Sequence, residues 1–203
     1  MSAVFNDQQQ PRPLDDGTFD GRYSVCVYCS SSAVVPPRYL RLAAEVGTGI
    51  ARRSWQLVSG GEHVAMMGSI VTAARNAGAR TVGVVPRALM SRADFDAEEL
   101  LVTETIQERK ALMEARADAF LVLPGGIGTC EELFTTWTAR MIAVHAKPFV
   151  LLDPDGHYIG LLDWIRDIHA RGFVSAHALA AVTRTSTVEE AVEACAPRLT
   201  PSA

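Results

Sequence analysis

The sequence predicts an α/β fold of Rossmann-like type, a doubly wound parallel sheet with helices on both faces, in a single domain. Three observations carry this. Short apolar runs alternate with longer amphipathic ones along most of the chain, which reads as successive βαβ units. Fifteen Gly, many Ala and Val and only 7% aromatic residues suit helices packed closely on a buried sheet. A length of 203 residues suffices for one substantial core without disulfide or metal staples, and is short for two.

Taken in order, residues 1–21 are polar and turn-rich (Gln8-Gln-Gln-Pro-Arg-Pro, then Asp15-Asp-Gly) and read as a flexible arm ahead of a domain at 22–199. Apolar runs predict strands at 23–28, 56–59, 81–85, 101–104, 119–123 and 148–152. Amphipathic spacing predicts helices at 38–53, 67–77, 107–117, 130–142 and 158–171, with a last one at 188–195. Ligands of such sheets sit where strands end and loops begin. The loops that matter are therefore 29–37, 60–68, 86–98 and 124–129.

Composition removes several function classes. A formal charge of −4 argues against nucleic acid or an anionic membrane as the main partner, so an anionic ligand needs local donors. No apolar run approaches the roughly 18 residues of a membrane span, and the N-terminus lacks the basic-then-apolar pattern of a signal peptide. These readings place the protein in the cytoplasm. Cys26 and Cys29 form a C-x-x-C pair inside an apolar run. An extended strand would turn the two thiols to opposite faces, and no second pair completes a zinc site. They read as ordinary buried thiols.

The strongest local signal is Pro124-Gly-Gly-Ile-Gly-Thr-Cys-Glu-Glu132 after the strand at 119–123. Gly125, Gly126 and Gly128 permit a tight turn into a helix whose amides and dipole would face an anion. A second reading is compatible with the first: Thr129 and Glu132 would form a T-x-x-E capping box. The pattern is neither Walker A nor G-x-G-x-x-G. A second glycine loop, Ser59-Gly60-Gly61-Glu62-His63, also opens a helix. His63 reads as a polar loop residue, since no ligating partner stands at metal spacing. The Cys29-Ser-Ser-Ser32 turn, with Ser31 at its centre, can offer hydroxyls or cap a helix. The only Arg-Lys dipeptide, Arg109-Lys110, stands near the start of a helix that would hold Arg109 over the glycine loop.

With Arg109-Lys110 followed by a complete P-G-G-x-G-T-x-x-E motif ending at Glu132, the chain resembles the LOG (Lonely Guy) family of cytokinin riboside 5′-monophosphate phosphoribohydrolases, often mislabelled lysine decarboxylases. The resemblance covers about 23–196 and takes in the Cys-Ser-Ser turn, Gly60-Gly61 with Met67-Gly68, Gly83-Val-Val-Pro86, Ala117-Asp-Ala-Phe120, Lys147-Pro148 and Asp155-Gly-His-Tyr158. Its His63 form of the second loop looks like the actinobacterial branch. It implies catalytic roles for Arg109 and Glu132, substrate contacts from Lys110, Glu131 and Thr138 and from the glycine loops with Met67 and Ser31, no cofactor or metal, and a homodimer. The apolar, Trp-bearing stretch 133–144 is long enough to supply part of that interface. The chain departs from the pattern in three places. Glu62 replaces the third glycine of the second loop. Ala93 and Asp94 stand where the family has Glu after Arg92, in a loop about two residues shorter, leaving Asp94 as the substitute contact to the sugar. Cys130 replaces an aliphatic residue and is expected to pack.

The chemistry points the same way. Pyridoxal-dependent decarboxylation needs a Schiff-base lysine, and Lys110 and Lys147 are the only lysines. N-glycosidic hydrolysis passes through an oxocarbenium-like sugar, which calls for a carboxylate and for an anchor on a remote phosphate. Glu132, the 125–129 loop and Arg109 supply these. The expected function is hydrolysis of an AMP-like nucleotide to free base and ribose 5-phosphate. A non-catalytic nucleotide or molybdenum-cofactor binding module of the same fold is the alternative.

Overall fold

The computed structural model describes residues 22–197. The arm expected at 1–21 and the last residues of the domain expected at 22–199 lie outside them. Along the described chain run β1 (Ser24–Tyr28), α1 (Pro37–Arg52), β2 (Gln56–Ser59), α2 (Ala65–Asn76), β3 (Thr81–Pro86), a 3-10 turn at Arg87–Arg92, β4 (Glu99–Thr103), α3 (Ile106–Ala115), β5 (Ala119–Val122), α4 (Ile127–Met141), β6 (Phe149–Leu152), α5 (Ile159–Ala170), α6 (Ala176–Ala180), β7 (Thr183–Thr185) and α7 (Val188–Ala194).

The seven strands form one sheet in the order β4-β3-β2-β1-β5-β6-β7, with every pairing parallel. The order explains the sequence. Central strands covered on both faces carry apolar residues at consecutive positions, and β1 is buried at all five. Val25 and Val27 join a core beneath α1, α2 and α7. Cys26 and Tyr28 join a second core with residues of α3, α4 and α5 on the opposite face. Cys26 and Cys29 accordingly lie in different layers.

From β1 the chain winds outward through β2, β3 and β4, then returns to β5 and winds the other way. The reversal falls between β1 and β5, so the loops after these two strands diverge and leave a crevice. Both glycine loops and the serine turn open at this end.

β4, β7 and α6 differ from the sequence expectation. β4 begins at Glu99 rather than 101, because Glu99 pairs in register with Val82 while its carboxylate meets Arg80 and Arg116. Such charged positions are at home on a sheet edge and lack an apolar signature. β7 is Thr-Arg-Thr and mostly exposed, an edge strand with no apolar run to betray it. The five-residue α6 is capped by Ser175, whose hydroxyl accepts the Ala178 N–H.

α1 and α2 cross closely because Gly47 faces Ile70 and Ala74. A Cβ at Gly47 would fall 2.4 Å from the Ile70 carbonyl oxygen. Backbone cannot yield as a side-chain tip can, so Gly47→Ala should destabilise the protein by about 1–3 kcal/mol. Urea denaturation should show it as a lower midpoint at an unchanged slope.

Candidate active site

A cavity of about 600 Å3 opens above the reversal point. Its walls come from Cys29 and the serine turn after β1, Glu62 and Met67 around the start of α2, Arg109 and Lys110 with Ile106 and Gln107 of α3, and Gly126 with the first residues of α4, Glu131 and Glu132 among them. A groove of similar size between α1 and α7, lined by Glu45, Arg52, Arg53 and Glu189, includes neither glycine loop and no reactive pairing.

α4 begins at Ile127, three residues earlier than its sequence suggested, with Gly126 as N-cap and no capping side chain. The expected Thr129–Glu132 capping box is therefore absent: Thr129 and Glu132 both lie inside the helix. The first intrahelical bond runs from the Cys130 N–H to the Gly126 carbonyl. The amides of Ile127, Gly128 and Thr129 precede that ladder and point out of the helix end, where the dipole favours an anion. A Cβ on Gly126 or Gly128 would meet nothing within 4 Å, so packing does not demand glycine there. Gly125 differs. Its Cβ would collide with Thr129 Oγ1 at 2.2 Å, which makes it a packing glycine. The loop is held from behind by His157, whose Nε2 lies 2.9 Å from the Gly125 carbonyl oxygen, and by the Tyr158 hydroxyl, which donates to the Leu123 carbonyl at 2.8 Å.

Arg109 and Glu132 meet across the cavity floor. Arg109 Nη1 donates to Glu132 Oε1 at 3.0 Å, and its Nε donates to the Val84 carbonyl at 3.0 Å. Arg109 sits in the first turn of α3, which starts at a complete capping box formed by Thr105 and Glu108. Its guanidinium lies directly over the second glycine loop: a Cβ on Gly60 would fall 1.9 Å from Arg109 Nη2. Burial pushes the Glu132 carboxyl up to about 7; Arg109 opposes the rise, and the negative charges of Glu131 and Glu62 reinforce it. A carboxyl poised near neutrality in a crevice is the usual condition of a group that handles protons or stabilises developing charge.

Around this pair, Lys110 ion-pairs with Glu131. Ser31 and Met67 border the cavity, as expected from the sequence. Gly60 and Gly61 do not line it and instead shape its floor; Gly61 takes φ +74° with its Cβ position against the Val84 backbone. Two expected contacts are elsewhere. Asp94 is buried, and both its oxygens accept from Arg75, at 2.6 and 3.1 Å, while its N–H donates to the Gly61 carbonyl. It braces the glycine turn from inside the fold. Thr138 is exposed far along α4 and does not border the cavity. Ile106 and Gln107 do border it, and only their place beside Glu108 in the first turn of α3 could have signalled this. Lys147 is removed from the cavity and donates to the Glu114 carbonyl at 2.7 Å.

Over residues 67–195 the chain matches a family model described as possible lysine decarboxylase. It is 49% identical over 179 residues to a cytokinin riboside 5′-monophosphate phosphoribohydrolase of Mycobacterium tuberculosis, a match that covers 87% of this chain and 95% of that protein. An Arabidopsis thaliana protein of the same name is 36% identical over 171 residues, covering 83% of this chain and 78% of its own length. Among solved structures, the molybdenum cofactor carrier protein of Chlamydomonas reinhardtii superposes with a TM-score of 0.66 at 23% identity, over 85% of this chain and 95% of that one. At that identity the likeness shows a shared fold.

The raised Glu132 carboxyl has a consequence for folding. Its folded value, about 7, lies above the ordinary 4.5, so its ionisation opposes folding: the penalty is absent below about 4.5 and complete above about 7. Glu132→Gln mimics the protonated form at all pH. The variant should gain on the wild type by on the order of 1–3 kcal/mol between pH 5 and pH 8 in urea denaturation. A pH-independent difference would show that Arg109 fully offsets the burial.

Proposed function

The chain belongs to the family of LOG-type cytokinin riboside 5′-monophosphate phosphoribohydrolases, and from that premise we propose how its own residues release a free base and ribose 5-phosphate from an AMP-like nucleotide. The observation that carries the reading is the buried Arg109–Glu132 pair beside an uncapped helix end.

The 5′-phosphate docks on the amides of Ile127, Gly128 and Thr129, with the Lys110 ammonium adding positive charge. Remote binding energy then places the sugar carbon C1′ next to Glu132. The bond from C1′ to the base nitrogen breaks with its electron pair going to the base. The Glu132 carboxylate stabilises the positive charge on the ring and accepts a proton from the attacking water. The water oxygen bonds to C1′, and Glu132 passes the proton it took from water to the departing base, which leaves neutral and restores the carboxylate. Arg109 holds Glu132 in place through one nitrogen while Val84 fixes another. Neither lysine has the free amine that pyridoxal chemistry requires: Lys110 is bound to Glu131 and Lys147 to a backbone carbonyl. The carrier-protein likeness extends to the fold, whereas the charged pair supports catalysis.

We further assign the protein to the cytoplasm as a homodimer. No described helix is long and apolar enough to cross a membrane. Leu133 and Trp137 face the core, with the Trp137 Nε1–H donating to the Ala178 carbonyl, so they leave the interface role to the exposed Phe134, Met141, Ile142 and Val144. The exposed Thr138 stands among these residues and reaches substrate only as a contribution to a second copy's cavity.

Incubation with AMP, N6-isopentenyl-AMP and the matching ribosides tests this function. Free base should appear from the monophosphates, with kcat/KM several orders of magnitude above the ribosides, and Glu132→Gln should abolish it. Gly126→Ala should erase most of the phosphate preference while the fold is unharmed. A riboside cleaved as fast as its monophosphate overturns the reading in favour of a plain nucleosidase.

Gly60→Ala separates positioning from stability. The obstructed atom is the tip of a flexible side chain, so the fold accommodates the methyl group by expelling the guanidinium. We expect a melting temperature within a few degrees of wild type and kcat/KM reduced about 100-fold or more, the scale of a misplaced catalytic group.

A further inference from the structure

We infer that Glu62 grips the ribose hydroxyls of the substrate, a specificity-determining acceptor that this chain supplies from its second glycine loop; the inference rests on the phosphoribohydrolase reading above. Glu62 directly follows the positive-φ Gly61 in the second glycine loop. It borders the cavity, yet the residue is only 4% exposed. Its Oε2 is buried and accepts no hydrogen bond. Arg92 Nε lies 2.9 Å from that oxygen, close enough to balance its charge but off the hydrogen-bonding direction. A buried carboxylate oxygen whose neighbouring cation is poorly aligned still has room for a well-aligned donor, and Glu62 borders the cavity through which one arrives.

The backbone explains how the carboxylate came to be there. The second glycine loop and the loop after the 3-10 turn are stitched together. Glu62 and Ala93 form an antiparallel bridge, the His63 N–H donates to the Arg92 carbonyl, and the Asp94 N–H donates to the Gly61 carbonyl. Glu62 therefore emerges opposite Ala93, on the strand of backbone facing the position that follows Arg92. Asp94 is turned away to Arg75, and Ala93 has no polar side chain. Of the two bridged positions, Glu62 is the one that carries a carboxylate.

The donor it meets follows from charge and distance. Phosphate is repelled by a carboxylate and is drawn to the α4 end. Glu62 and Glu132 border the same cavity, so one bound sugar lies within reach of both carboxylates. The groups beside C1′ that donate are the ribose hydroxyls, the 2′-hydroxyl foremost. A hydrogen bond there strengthens as positive charge grows on the ring.

The test compares kcat/KM for AMP, 2′-deoxy-AMP and N6,N6-dimethyl-AMP in the full chain and in Glu62→Gln, with calorimetric Kd values for AMP and 2′-deoxy-AMP measured alongside. Wild type should favour AMP over 2′-deoxy-AMP by 100-fold or more. Glu62→Gln should shrink that ratio at least tenfold, chiefly through loss on AMP, and leave the ratio of AMP to its dimethyl analogue unchanged. Glu62→Gly provides a second variant with no side chain to misfold and should act in the same direction. An unchanged deoxy ratio in a folded variant overturns the inference and leaves Glu62 as a partner for Arg92 alone. A change confined to the dimethyl ratio overturns it by placing Glu62 at the base. So does a wild type indifferent to the 2′-hydroxyl. If wild type releases no base from any of these nucleotides, the catalytic reading fails by itself, and the ratio of Kd values still decides whether Glu62 recognises the sugar.

Discussion

Two opposite charges held out of water organise this molecule. Burial disfavours the Glu132 charge, and Arg109 offsets part of that cost. Together they join α3 to α4 above the point where the winding of the sheet reverses. The pair fixes how much space is left below the helix end. It also constrains its neighbours: a Cβ on Gly60 would collide with the guanidinium, and the Val84 carbonyl of β3 accepts from the Arg109 Nε.

The pair is a compromise between stability and chemistry. A tighter pairing would hold Glu132 permanently ionised and fully occupied; a looser one would let it protonate and leave Arg109 stranded. The structure sits between, with one guanidinium nitrogen on one carboxylate oxygen and burial opposing the attraction. Glu131 and Glu62 add negative charge nearby, and Lys110 takes up the first of these. Such arrangements cost folding free energy and persist where function requires the group to be unsettled.

Much of this was legible in the sequence because it is written locally. Continuous apolar runs specify doubly covered strands, and six of the seven were placed within two residues at their starts. The Pro-Gly-Gly turn announced the helix end. What was not legible depends on partners distant in sequence. The pattern Thr-x-x-Glu occurs at 105–108, at 129–132 and at 187–190. It forms a capping box at the first and third, while at 129–132 the acid belongs to an arginine 23 residues upstream. Asp94 was misplaced for the same reason: nothing adjacent to it names Arg75. The edge strand β7 has no apolar signature because its Thr-Arg-Thr sequence is largely exposed.

α4 carries both the amides at its start and Glu132 in its second turn. Helical rise sets the spacing between Gly128 and Glu132 at about 6 Å, and no side-chain motion can alter it. In the docking proposed above, the helix acts as a ruler between the phosphate and the bond to be cut. A nucleoside diphosphate anchored by its terminal phosphate would then carry its sugar one phosphate unit past the carboxylate.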